Sequence, residues 1–266
     1  MTGSKQQGLV DTGTDLSGHR ALVTGASGNI GSAIARRLAA AGADLALHFH
    51  SNAAAASALA NEFEKSGIDV LSVQADLSEA AGAQELFAAI EAIGGPAIDL
   101  VVNNAATQPV QALAGMTVDD WRKVMTANLD SAFAITQMAA ERLRKAGLPG
   151  AIVNIASIEG SDPAVGHSHY ATSKAGMLMF TRACALEYGA AGIRVNAVSP
   201  GLIDRDGLKA EWPEGVARWQ AKAPLGRLGT SADVADAVYF LLSPAARWIS
   251  GANLVVDGGM STVSRW

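Results

Sequence analysis

The sequence predicts an α/β protein built on a doubly wound, seven-stranded parallel sheet with helices on both faces. Three observations point there. Short apolar runs alternate with helical stretches along the chain, the rhythm of βαβ units and not of hairpins. The first apolar run passes through a glycine-rich turn directly into a helix. Polar residues suited to binding follow several of the runs, and in open parallel sheets ligands sit outside the carboxyl ends of the strands.

Taken in order, strands are expected over residues 21–23, 44–49, 69–74, 100–102, 151–155, 194–198 and 253–256, each a short run rich in Val, Ile, Leu or Ala. Helices are expected over 30–40, 52–65, 78–93, 118–146 (as two helices), 170–188 and 231–242. The run Ala53-Ala54-Ala55-Ala56 is of low complexity, but alanine is the best helix former, so it reads as helix. The stretches 131–140 and 175–185 are apolar over most of a helical circumference. A helix of that kind needs cover on every side, and one sheet face supplies only one. The run 248–256 reads as an apolar edge strand in need of protection.

Composition narrows the class. A chain of 266 residues with 49% hydrophobic and 17% charged residues can bury a large single core. The net charge of −5, with no basic cluster, argues against nucleic acid. No apolar run approaches a membrane span. Residues 1–17 are polar and glycine-rich and read as a flexible tail, leaving 18–266 as one domain. The lone cysteine, Cys184, lies in an apolar helix and reads as a packed small side chain. The cytoplasm is the expected location.

The first turn, Thr24-Gly25-Ala26-Ser27-Gly28-Asn29-Ile30-Gly31, has strand before it and helix after it. Gly25 would permit the tight turn, Gly28 a close approach of ligand, and Gly31 the packing of helix on strand. The exposed N–H groups and the helix dipole then make an anion site suited to a pyrophosphate. Further along, Tyr170 and Lys174 are four apart at the start of a helix, so they share a face. A cation beside a phenol lowers its pKa from about 10, towards the range where acid–base catalysis is efficient. Ser157 follows the buried-looking strand 151–155 and could hydrogen-bond the oxygen that Tyr170 protonates.

These residues together resemble the short-chain dehydrogenase/reductase family, in its single-domain branch, from about His19 to Asp257. The resemblance implies a Rossmann fold and an NAD(P)(H)-dependent oxidoreductase acting on a small carbonyl or secondary alcohol. It implies Asn128, Ser157, Tyr170 and Lys174 as a catalytic tetrad, Asn128 holding a relay water. For the dinucleotide it implies contacts at Gly25, Ser27, Asn29 and Ile30, at Asp76 and Leu77 near the adenine, and at Asn104 and Ala105 near the nicotinamide ribose. Tyr170 and Lys174 belong to that contact set too, as do Pro200, Gly201 and Ile203 over the nicotinamide. Departures are visible. Asn29 stands where the branch has glycine and is read as a swap tolerated because asparagine enters φ > 0 easily. Ala106 replaces another glycine, and Arg205 replaces a threonine that binds the carboxamide, which shifts that task to the backbone of Ile203.

Cofactor choice is read at the end of the second strand, where Phe49 takes the place of the acid that would bind the ribose of NAD. His50, Ser51 and Asn52 follow and could donate to a 2′-phosphate, so NADP(H) is favoured over NAD(H). The pairs His48/His50 and His167/His169 have strand-like spacing but no Cys or carboxylate at ligand spacing, so no metal is expected. The stretch 202–224, with Trp212 and Trp219, reads as a flap over the substrate. With Glu159 and His167 it suggests a cyclic or hydroxylated carbonyl compound. The uncharged segment 189–192 argues against a carrier-protein substrate. A homotetramer is expected, with the 125–145 and 170–190 helices in one interface and the last strand in another. The alternatives are a non-enzymatic dinucleotide-sensing regulator, opposed by the presence of both Tyr170 and Lys174, and an epimerase or dehydratase, opposed by chain length.

Overall fold

The computed structural model describes residues 14–263. Seven parallel strands form one sheet in the order β3-β2-β1-β4-β5-β6-β7. They are β1 (Arg20–Val23), β2 (Asp44–Phe49), β3 (Val70–Gln74), β4 (Leu100–Asn103), β5 (Gly150–Ile155), β6 (Ile193–Pro200) and β7 (Asn253–Val256). The helices are α1 (Asn29–Ala39), α2 (Ala53–Glu64), α3 (Gly82–Ile93), α4 (Val118–Met125), α5 (Ser131–Ala146), α6 (Ser168–Tyr188), α7 (Leu208–Glu211), α8 (Pro213–Lys222) and α9 (Ser231–Leu242). This is the Rossmann fold, with both faces of the sheet covered.

The central strands β1, β4 and β5 are largely apolar because both of their faces are buried, while the edge strands β3 and β7 alternate with exposed residues. Alternate residues divide between two cores. Ala21 and Val23 point to the side of Ile34, Leu38 and Val238, where α1, α2 and α9 pack. Leu22, between them, points to the side of Leu86, Ile135 and Leu143, where α3 and α5 pack. Val101 and Ile152 repeat the same split on β4 and β5. The strand order reverses between β1 and β4, so their ends diverge and open a cleft there.

Four local expectations are refined. The segment 118–146 forms the two expected helices, but α4 runs through one π-helical turn, Thr126–Asp130, directly into α5 with no loop between them. No glycine or proline interrupts it, and the wider turn only re-phases the side chains. Helix α3 begins at Gly82 rather than 78, because Asp76 Oδ1 accepts from the Ser78 backbone at 2.9 Å and its hydroxyl at 2.6 Å, holding a turn instead. The flap contains two helices, α7 and α8. Of the expected tail, residues 1–13 lie outside the described residues, while Leu16 is fully buried in the core and its N–H donates to Ala41 at 2.8 Å. Its side chain fills space against α1, so the folded unit includes residues 14–17. Among the described residues, no helix is long and apolar enough to cross a membrane.

Candidate active site

At the divergence of β1 and β4 lies a cleft of about 1940 Å³, reaching from the glycine turn to the flap. The glycine turn assigns each glycine a different duty. Gly25 has φ 63°, and a Cβ there would meet Ala105 Cα at 3.0 Å. A Cβ on Gly31 would lie 2.3 Å from the Gly25 carbonyl, so α1 seats only with glycine. Gly28 is different: its nearest obstacle would be 3.4 Å away, and it lines the cleft. Nothing in the protein needs the missing side chain; space for a ligand does.

Asn29 does not adopt φ > 0. Among the described residues no non-glycine does, and Asn29 is the first helical residue of α1, with its amide donating to the Asp204 carbonyl at 2.8 Å. It ties the glycine turn to the flap segment, which is why asparagine serves here without strain. The start of α1 carries no side-chain cap and no acid in its first turn. By contrast, α4 and α9 have full capping boxes, Thr117/Asp120 and Thr230/Asp233. The orphaned N–H groups of α1 face the cleft beside Ser27, Asn29 and Ile30.

The turn is held from three sides. Thr24 Oγ1 accepts from the N–H groups of Asn104 at 2.9 Å and Ala105 at 3.0 Å. The Asn104 side chain donates to the Thr24 carbonyl at 2.8 Å. His48, fully enclosed, accepts the Gly25 N–H at Nδ1 (3.1 Å) and faces the Ala75 carbonyl through Nε2 (3.1 Å). These bonds assign the proton to Nε2, and burial pushes the imidazole pKa down. Sequence reasoning weighed His48 only as half of a metal pair; its support of the turn depends on a strand register that spacing does not reveal.

Phe49 does not stand at the cofactor position. It is buried and does not line the cleft, whereas His50, Ser51 and Asn52 stand exposed on its rim. Strand alternation turns Phe49 away and brings His50 to the cleft, 3.7 Å from Asp76. Asn52 caps α2 by accepting from Ala55 at 3.1 Å. Asp76 and Leu77 lie on the same rim. Pro200, Gly201 and Ile203 line the other end. Ile203 pairs with Gly229, but the bonds of that bridge use Leu202 O and Asp204 N, so the N–H and C=O of Ile203 point away from it. Arg205 is engaged by Glu211 in an ion pair at the flap.

Tyr170, Lys174 and Ser157 meet at the centre. Lys174 is enclosed, its ammonium donating to the Ile155 carbonyl at 2.7 Å and lying 5.6 Å from the Tyr170 ring centre. Burial lowers its pKa to about 7. The expected lowering of the Tyr170 pKa is absent. Burial raises it to about 12, the Ser157 hydroxyl opposing and the Glu159 carboxylate adding to the rise. Desolvation of the phenolate outweighs a lysine that is itself only partly charged near neutrality. Asn128 sits fully buried in the π turn, behind the cleft wall. Its Oδ1 accepts from Thr107 N at 2.8 Å, and Nδ2 donates to Thr107 O at 2.9 Å and Ser173 Oγ at 3.1 Å. Both side-chain donors are occupied, so the side chain braces the loop after β4.

His167 and His169 do not form a pair. They straddle the start of α6, where successive residues diverge, so His167 faces the cleft and His169 is enclosed. Among the described residues no three or more His, Cys, Asp or Glu side chains gather as a metal site. Glu159 accepts from His167 Nδ1 at 2.8 Å and from Gln108 Nε2 at 2.9 Å.

A dinucleotide fits this cleft: an uncapped helix start behind a glycine with open space, and unpaired backbone groups at Ile203, stand at its two ends. The sequence model of the enoyl-(acyl carrier protein) reductase family matches residues 25–261. The 3β-hydroxysteroid dehydrogenase 1 of Eggerthella lenta is 35% identical, covering 93% of this chain and 95% of the relative. The L-rhamnose 1-dehydrogenase (NAD(P)(+)) of Azotobacter vinelandii is 38% identical, covering 90% and 95%. A blue fluorescent protein from a metagenomic library, solved in complex with NADPH, superposes with a TM-score of 0.85 at 36% identity, covering 93% of this chain and 99% of that one. The matched family and relatives define an oxidoreductase class. The chain belongs to the short-chain dehydrogenase/reductase family.

The glycine duties predict different outcomes for two substitutions. Gly28→Ala should leave the melting temperature near wild type and weaken NADPH binding about tenfold or more, measured by fluorescence titration. Gly31→Ala should lower the melting temperature as well, because its Cβ overlaps the Gly25 carbonyl.

Proposed function

We propose that this protein is an NADP(H)-preferring carbonyl reductase or secondary-alcohol dehydrogenase of the cytoplasm. The single observation that carries the reading is the convergence of Tyr170, Lys174 and Ser157 at the end of β5, beside the cleft that the glycine turn opens. That combination supports catalysis over a sensing role. When bound, the nicotinamide would supply or accept the hydride.

Tyr170 exchanges a proton with the substrate oxygen. Its pKa of about 12 keeps that proton in place for reduction across neutral pH. Ser157 accepts the Glu159 N–H at 3.1 Å, which leaves its hydroxyl proton for the substrate oxygen. Lys174, anchored on Ile155, has further N–H donors for the nicotinamide ribose and for a relay water. Asn128, with its side chain committed to Thr107 and Ser173, shapes the π turn beside which that water would sit. The pyrophosphate would rest on Ser27, Asn29 and Ile30, the adenine by Asp76 and Leu77, and the carboxamide on the Ile203 backbone.

The NADP(H) preference rests on His50, Ser51 and Asn52, none of which is acidic. The NADPH in the related solved structure supports it, and the NAD(P)(+) in the rhamnose enzyme's name accommodates use of both. The homotetramer remains part of this reading. Phe133, Met179 and Leu186 are exposed on α5 and α6, where Phe133 and Phe180 meet edge-to-face at 6.0 Å. Val255 on the last strand and Trp248 just before it are exposed as well. Closed twofold contacts would cover both surfaces.

Tyr170→Phe should reduce turnover by roughly 10²–10⁴-fold while leaving NADPH affinity within a few-fold; alcohol oxidation by wild type, which needs the phenolate, should speed up as pH rises above neutrality. Near-normal rates in the variant would remove Tyr170 from the mechanism.

His50→Asp should move the ratio of NADPH to NADH dissociation constants at least tenfold towards NADH, an energy of about 1.4 kcal/mol. A carboxylate there would face the 2′-phosphate, whereas the same change at Phe49 would bury it.

Light scattering at micromolar concentration should report four times the 27.2 kDa chain mass. A stable species of one chain mass would contradict the tetramer.

A further inference from the structure

The cleft wall opposite the glycine turn carries a polar cluster that proton exchange at Tyr170 does not require. Glu159, His167 and Gln108 come from the turn after β5, the residue before α6 and the loop after β4. Their side chains meet through two hydrogen bonds, both to the Glu159 carboxylate. The side chains of Glu159 and His167 are only 15% and 16% exposed, and both line the cleft. The His167 ring stands edge-on to the Tyr170 ring, with centres 6.1 Å apart. The His167 ring is therefore a neighbour of the Tyr170 ring on the same cleft wall, so a group recognised there would lie close to the reacting carbon. His167 uses Nδ1 on Glu159, so Nε2 is the ring atom left for a ligand.

A largely desolvated carboxylate–imidazole pair has a high cost if its remaining hydrogen-bonding capacity goes unmet. An alkyl ketone or a hydrocarbon skeleton against it would leave it so. A carboxylate-bearing substrate would meet the charge of Glu159. A neutral hydroxyl suits it, donating to one group and accepting from another. We propose that Glu159, His167 and Gln108 form a hydroxyl-reading subsite, and that the substrate is a polyol or its carbonyl counterpart, with a second hydroxyl on the carbon next to the reacting one. This rests on the dehydrogenase reading and names the substrate class for the same site. Glu159 and Gln108 act as positioning residues for His167, and His167 contacts the second hydroxyl.

The test compares matched alcohols with NADP+ and NAD+: cyclohexane-1,2-diol and an aldohexose panel against cyclohexanol and 2-butanol. Wild type should show kcat/KM at least tenfold higher for the hydroxylated members. Sites built to bind a hydroxyl reject analogues lacking it by large factors. In Glu159→Gln and His167→Phe that ratio should fall at least tenfold, mainly through KM for the diol. Glu159→Gln should also move the rising limb of the pH–rate profile for alcohol oxidation to lower pH, because its carboxylate no longer opposes ionisation of Tyr170. Gln108→Ala, at an exposed position, gives a milder loss and guards against misfolding of the other two; NADPH titration reports whether each variant is intact. Turnover of the mono-alcohols at rates equal to or above the diols in wild type overturns the subsite alone. So does an unchanged ratio in folded variants. Failure to oxidise any alcohol, with NADPH still bound, overturns the dehydrogenase reading and the subsite together.

Discussion

The fork between β1 and β4 is the constraint on which this molecule depends. Two adjacent parallel strands end there and their chains leave in opposite directions, so backbone groups that a ladder would have paired are exposed at the mouth of a cleft. They cannot be satisfied by filling the cleft. Thr24, Asn104 and His48 satisfy them from behind, with one hydroxyl, one amide and one imidazole reaching the turn from three strands. The same bonds hold Gly25 in its left-handed conformation and keep the open side of Gly28 towards the cleft. A binding surface results whose shape is held by hydrogen bonds within the protein.

A second constraint is burial at the Tyr170–Lys174 pair. Lys174 and Tyr170 are both removed from water, and desolvation moves each towards its neutral form: the lysine down, the phenol up. The phenol is thus held protonated, while the lysine, with its pKa lowered to about 7, is only partly charged near neutrality. Glu159 adds to the rise at Tyr170 while its hydrogen bonds hold His167 beside the same ring. In the proposed reading, Glu159 would link substrate recognition electrostatically to the acidity of the Tyr170 phenol.

Much of this was legible in the residue order. Seven apolar runs and their helices were readable because buried parallel strands are apolar on both faces and helices repeat every 3.6 residues. Gly25, Gly28 and Gly31 were readable because each residue type answers a backbone demand. The errors share a cause. Phe49 and His50 exchange roles through one step of strand alternation. Asn29 owes its place to a carbonyl 175 positions away in the chain. The rise at Tyr170 comes from enclosure by several elements at once.

The sequence by itself determined the sheet, the glycine turn and the spacing that brings Tyr170 and Lys174 onto one helical face, because these depend on neighbours within a turn or a strand. Tertiary structure alone decided the protonation of the Tyr170–Lys174 pair, the service of His48 to the turn, and the meeting of Gln108, Glu159 and His167. Those depend on which strands lie side by side and on how much water their packing removes. Neither quantity is written in local order; both arise only when distant segments close upon each other.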